Sequence, residues 1–276
     1  MQRTGLIGVV MVVALGLSGA AHAERGPFPF VGEEIHYSIS MFGGEAARAA
    51  LSVGRPFRDA NLGRVVPVHG IMMTVGLASA LVSFKYESET YFDAATWQAV
   101  WSLKLLEDRG RSRTYETYYD RDAWTAHTIR VEPARDINRQ TDSPIPSHVH
   151  DALSWIYDVR TQPLEIGDEY HYFVFDGWKM RRLRLRVAVH IDRPFGNEEV
   201  RAAELIVHGD TLEPYVAVPW GRRRMTHAPS YAVSGSERLG RTWVTLDDRR
   251  IPLGLEIRTA FGFMRINADR HVPPRR

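Results

Sequence analysis

Apolar and polar side chains alternate with a period of two along most of this chain, and that pattern restricts it to strands buried on one face. From Trp97 to Leu105, the residues Trp97, Ala99, Trp101, Leu103 and Leu105 fall on one face, while Gln98, Ser102 and Lys104 fall on the other. From Arg181 to Ile191, Leu183, Leu185, Val187, Val189 and Ile191 alternate with Arg182, Arg184, Arg186 and His190. Weaker alternation marks strands within 34–42, 48–53, 86–92, 113–119, 125–131, 170–175, 202–208, 242–246, 253–258 and 263–267. Between them stand the turn formers Gly43-Gly44, Asp93-Ala94-Ala95, Asp108-Arg109-Gly110, Asp120-Arg121-Asp122, Asp176-Gly177 and Asp247-Asp248. About a dozen strands on short turns predict an all-β, mainly antiparallel meander that closes, fully or by half, into a barrel. A two-sheet sandwich is the rival.

One segment keeps a helical period instead. Ser147 is suited to N-cap a helix, Asp151 lies in the first turn, and Val149, Ala152, Leu153, Ile156 and Tyr157 recur at helical spacing until Pro163. This predicts one amphipathic helix of about three turns against the sheet or in the mouth of the barrel. Gly76 to Val82 reads as a second helical turn or, with the apolar run from Ile71, as a buried strand. The stretch from Arg135 to Pro146 reads as a polar loop, and Thr211 to Gly240 is too rich in proline and glycine for long strands.

The first residues bear on compartment. Arg3 precedes an apolar run from Gly5 to Leu17, and small residues lead to Ala21-His22-Ala23. That is the pattern of a cleavable secretory signal, so residues 1–23 are expected to be removed and residues 24–276 to form one β-rich periplasmic domain. No later stretch reaches the length of an apolar membrane-spanning helix. With no cysteine, thiol chemistry and cysteine zinc sites are excluded. Lys and Arg total 35 against 33 Asp and Glu, a balance that points away from nucleic acid.

Gly32-Glu33 before Ile35-His36-Tyr37 and Gly43-Gly44, then Asp151-Ala152-Leu153-Ser154 with Tyr157, Arg160, Pro163-Leu164 and Gly167-Asp168, and last Trp243, Asp248-Arg249-Arg250 and Pro252, resemble one pattern. It is that of the bacterial family called domain of unknown function 3108. The resemblance covers about residues 32 to 267. It implies an exported envelope protein of antiparallel β architecture, and it implies no activity or catalytic residue.

The chemistry-bearing motifs are few. There is no G-x-S-x-G, no H-E-x-x-H and no phosphate-binding loop. His148 and His150, two apart on the expected helix, would not share a face. The acidic pairs Glu33-Glu34 and Asp247-Asp248 fit a strand entry and a turn better than glycosidic chemistry. No catalytic residue, metal or cofactor is expected. The candidate binding residues are Leu153, Trp155, Ile156, Tyr157 and Arg160 on the helix as a lid, and Trp97 and Trp101 lining a barrel. Trp220, Arg222 and Arg223 join them in a loop able to meet lipid head groups or acidic polysaccharide. The expected function is a non-catalytic binding or carrier module for an amphiphilic or polymeric envelope component, or one docking on envelope machinery. The alternatives are a scaffold with a filled barrel and, behind it, a glycan-acting enzyme.

Overall fold

The computed structural model describes residues 25–81, 83–214, 231–259 and 262–274. Among these runs one sixteen-stranded sheet. Its first eight strands are β1 (Glu34–Met41), β2 (Gly44–Val53), β3 (Phe57–Asp59), β4 (Gly63–Thr74), β5 (Phe84–Asp93), β6 (Ala99–Asp108), β7 (Arg111–Asp120) and β8 (Thr125–Glu132). The second eight are β9 (Ile137–Pro144), β10 (Val149–His150), β11 (Glu169–Phe175), β12 (Met180–Phe195), β13 (Glu198–Pro214), β14 (Tyr231–Thr245), β15 (Pro252–Thr259) and β16 (Gly262–Val272). Among the described residues helix is confined to α1 (Gly76–Leu81), α2 (Ser154–Val159) and a 3-10 turn at Pro133–Arg135.

The hydrogen-bonded path runs from β10 to β16 in chain order, crosses from β16 to β1, and continues through β2 and β4 to β9, with β3 on the flank of β4. Among the described residues only the β10–β11 pair is parallel. The expected antiparallel barrel-like meander is present, and it stays open between β9 and β10. Each edge is blunted in its own way. β10 is two residues long, and β9 offers Asn138, Arg139, Gln140 and Asp142 to solvent. Arg121 clasps the intervening chain, donating to Ser147 O at 2.8 Å and Val149 O at 3.2 Å while holding Ala99 O at 2.7 Å.

Several local expectations are corrected. β9 occupies most of the stretch read as a polar loop, because an exposed edge strand needs no apolar face. β13 and β14 enter the Thr211 to Gly240 stretch from both ends, and residues 215–230 lie outside the described residues. The apolar run from Ile71 belongs to β4 up to Thr74, and α1 takes up the second helical turn.

The expected three-turn helix is shorter. Val149 and His150 are extended and pair with Phe173 and Val174. Asp151, not Ser147, starts the helical segment: its Oδ1 accepts from the N–H of Ser154 at 2.8 Å and of Leu153 at 3.2 Å, and its own N–H donates to Ser154 Oγ at 2.9 Å. This reciprocal box satisfies amides that would otherwise be orphaned.

Bulges interrupt the two clearest alternations. On β6 the register with β5 slips at Val100, since Tyr91 faces Trp101 and Phe92 faces Ala99. One extra residue exchanges the faces. Ala99 therefore points inward with Ser102 and Lys104, whereas Trp101, Leu103 and Leu105 are half-buried on the outside. On β12 a slip between Val187 and Val189 leaves Val189 exposed, after Leu183, Leu185 and Val187 have been buried as expected.

The concave side of the sheet is filled. One apolar cluster gathers Phe28, Phe30, Val66, Val68, Phe92 and Tyr119 around Leu153 and Tyr157. A second packs Val159 and Leu164 against Leu183, Leu185 and Leu205. The α2 segment joins both, so it lies between the two halves of the sheet.

Candidate functional site

The inward segment from Asp151 to Arg160 is held at each end by polar groups. At its start Asp151 is fully buried and its Oδ2 accepts from Thr90 Oγ1 on β5 at 2.6 Å. Leu153 then seats over Gly70 of β4, where a Cβ would press on Leu51 and Leu153 at 3.2 and 3.3 Å. At the far end Arg160 has a fully buried side chain and donates to both oxygens of Glu33 at 2.6 Å. It also donates to Arg250 O at 2.7 Å and to Arg249 O at 3.2 Å. Its guanidinium lies 3.8 Å from the centre of the Phe30 ring. His271 Nε2 donates to the remaining side of Glu33 at 2.9 Å. Burial works against the charged form of Glu33, but the hydrogen bonds from Arg160 and His271 outweigh it and hold the carboxyl below its usual value. This planar, bidentate pair ties α2 to the entry of β1, the β14–β15 turn and β16.

Beside this plug lies a buried polar pocket. Lys104 is 4 % exposed, and its Nζ has no hydrogen-bond partner among the described residues. Across the sheet it faces Ser88 on β5 and Tyr115 on β7. Desolvation pushes its pKa down, with Asp151 and Asp176 pulling the other way. The β11–β12 turn covers the site, since a Cβ on Gly177 would stand 3.2 Å from Thr117 Oγ1. Sequence alternation placed Lys104 on the solvent side, so only the bulge reveals this group.

The remaining expected site residues separate. Leu153 and Tyr157 are core residues and not the rim of a cavity; Tyr157 packs on Phe28 and Phe30, both at 5.5 Å. Trp155 is half-buried and turns to the second cluster, 6.3 Å from Tyr172, and Ile156 is half-buried. Trp97 is off the strand, at a positive φ of 61°, and donates through Nε1 to Gly26 O at 3.0 Å. Trp101 stands on the outer face, 4.6 Å from the Tyr91 ring, and donates to Glu116 Oε1 at 3.0 Å. Trp97 packs against the first apolar cluster, 5.4 Å from the Phe28 ring, whereas Trp101 faces outward. Trp220, Arg222 and Arg223 lie outside the described residues.

Three of the four residues of the acidic pairs are engaged in structure. Glu33 belongs to the buried ion pair, Glu34 meets His36 Nε2 at 2.7 Å, and Asp247 takes up Thr245, Arg249 and the turn amide. His148 and His150 flank an extended residue, not a helical one, and their rings pack at 5.2 Å on Phe173 and Tyr172. Burial pushes His150 down to about 4. Two open grooves flank β1. One of about 560 Å³ runs over Ser38, Arg48, Asn267 and Asp269, and one of about 250 Å³ lies beside Gly32 and Arg55.

Residues 34–269 match the family described as "Protein of unknown function (DUF3108)". The chain belongs to this family. Many of the residues that carried the DUF3108 resemblance in sequence meet at the plug: Glu33, Asp151, Leu153, Ser154, Tyr157, Arg160 and the carbonyls of Arg249 and Arg250. Tyr37 and Pro252 meet nearby, the phenol donating to the carbonyl at 3.1 Å. No curated protein matches the chain. Among solved structures it is similar to the crystal structure of a beta-barrel-like protein of domain of unknown function DUF1849 from Brucella abortus. The two are 9 % identical with a TM-score of 0.54, over 90 % of this chain and 100 % of that one. At that identity the likeness is one of fold. The DUF3108 and DUF1849 descriptions carry no catalytic indication.

Proposed function

We propose that this DUF3108 protein is an exported, non-catalytic module of the cell envelope that binds an envelope component at its outer surface, its interior being occupied by its own chain. The observation that carries the reading is the seating of residues 151–160 on the concave side of the sheet. Leu153 packs on Gly70 there, and Arg160 locks into Glu33. A carrier needs an apolar chamber that its ligand fills, and here Phe28, Phe30, Phe92 and Tyr157 fill that position. The signal-like sequence of residues 3–23 supports the periplasm as the compartment.

Expression in a Gram-negative host, osmotic-shock fractionation and N-terminal sequencing test the export. A chain beginning at Glu24 in the periplasmic fraction is expected, and one beginning at Met1 in the membrane pellet overturns it. Mass spectrometry of solvent extracts from protein purified without detergent tests the interior. No lipid at stoichiometric amount is expected; finding one restores the carrier.

A further inference from the structure

The strand registers bring the turns of successive hairpins to one end of the sheet. Met41 pairs with Gly44 and with Met264, so the β1–β2 and β15–β16 turns are neighbours. Val75 N–H donates to Ala46 O at 3.0 Å, which sets α1 beside them. Phe84 faces Asp108, and Thr114 faces Val131, carrying the same end round through Arg109-Gly110 to the 3-10 turn. Leu212 pairs with Met180 and Val233, adding the β11–β12 turn and the start of β14.

This end holds most of the exposed apolar surface. The six most exposed large apolar side chains among the described residues are Leu77 (88 %), Phe42 (80 %), Ile166 (61 %), Phe263 (57 %), Val233 (51 %) and Trp178 (47 %). All but Ile166 are at this rim. Single exposed apolar residues need no explanation, but hairpin tips are ordinarily polar. Phe42 is the sharpest case. With Gly43 it forms a two-residue turn at φ values of 52° and 82°, where asparagine followed by glycine is favoured. The fold gains nothing from a phenyl ring held in solvent at a left-handed position.

The same rim carries cations. Arg109, Arg111, Lys179 and Arg258 are exposed and make no ion pair among the described residues. Arg130 and Arg139 flank the Trp178 ring at 5.3 and 5.8 Å. Apolar tips with unpaired cations suit the boundary of an anionic bilayer, where rings enter the head-group layer and guanidinium groups meet phosphate. A second copy of the chain would bring the same cations against these, which disfavours self-association through the rim.

We propose that this rim docks on an anionic lipid surface, with Phe42, Leu77 and Phe263 entering the interface and Arg109, Arg111, Lys179 and Arg258 meeting the phosphates. The proposal rests on the reading of an exported module that acts by its surface. The test is flotation of the full exported chain with vesicles of phosphatidylglycerol and phosphatidylethanolamine, against phosphatidylcholine alone, at low and high salt. Binding is expected to the anionic vesicles only and to fall with salt. The variant Phe42→Asn/Leu77→Ser/Phe263→Thr, its fold checked by circular dichroism, should bind at least about tenfold more weakly. Arg109→Glu/Arg111→Glu should weaken it as well, while Ile166→Ser on the opposite rim leaves it unchanged. Absence of flotation with anionic vesicles, or binding that the triple variant does not diminish, overturns the proposal. If the chain is periplasmic and lipid-free by extraction yet ignores vesicles, the rim proposal alone falls. A stoichiometric lipid in the extract overturns the filled-module reading instead.

Discussion

Removing the Arg160 guanidinium tests whether the buried ion pair is what holds the plug in the sheet. In Arg160→Met the chain loses two hydrogen bonds to Glu33 and those to the carbonyls of Arg249 and Arg250. Glu33 stays buried at 1 % exposure with His271 as its remaining side-chain partner. Breaking one side of a buried pair costs about 3 to 5 kcal/mol, because the other charge is left without compensation. For a chain of this size each kcal/mol moves the melting temperature by about 2 to 4 °C, so a fall of about 6 to 20 °C is expected. The double variant Glu33→Leu/Arg160→Met removes both charges and fills the space with apolar atoms. It should recover much of the loss, since apolar replacement of a whole buried pair is often near neutral. Thermal unfolding followed by circular dichroism, on the wild type, both single variants and the double, gives the coupling directly. A fall of less than about 2 °C in Arg160→Met, or additive losses in the double, would refute the idea that the pair acts as one buried unit.

Three further outcomes follow from the same packing. Leu153→Ala should cost about 2 to 5 kcal/mol in denaturant melts, whether or not lipid is added, since the side chain is core; a loss below about 1 kcal/mol would return it to the role of a lid. Lys104→Met should stabilise by about 1 to 3 kcal/mol, because it deletes a desolvated amino group that has no hydrogen bond among the described residues; a lower melting temperature would mean that Lys104 has a partner. Because the folded state holds the Glu33 carboxyl below its ordinary value of 4.5, its contribution is present above that pH and is lost as the pH falls through the folded value. Melts taken down the acid range should therefore be less acid-sensitive in Glu33→Gln, and identical slopes would contradict the assignment.

Period-two patterning and turn chemistry are local, and the features they control were legible: the antiparallel class, most strands, and reversals such as Gly43-Gly44 and Asp176-Gly177. The resemblance in Glu33, Asp151, Arg160 and Asp248-Arg249-Arg250 was visible too, but its meaning was not. Glu33 and Arg250 are 217 positions apart, and only the closing of β16 against β1 brings Glu33, Arg160 and the carbonyls of Arg249 and Arg250 together. The face of a strand was less secure. A single extra residue at Val100 moved Trp101 outward and carried Lys104 inward, and no composition rule registers a bulge. The helix erred for a similar reason, since Val149 and His150 had a free partner in β11 that the sequence could not show. Alternation and helical period are written in neighbouring residues, so a sheet protein with one amphipathic segment against it is readable directly. That the segment fills the barrel and that the exposed apolar tips share one rim depends on which distant strands pair and in what register, and no run of neighbouring residues records that.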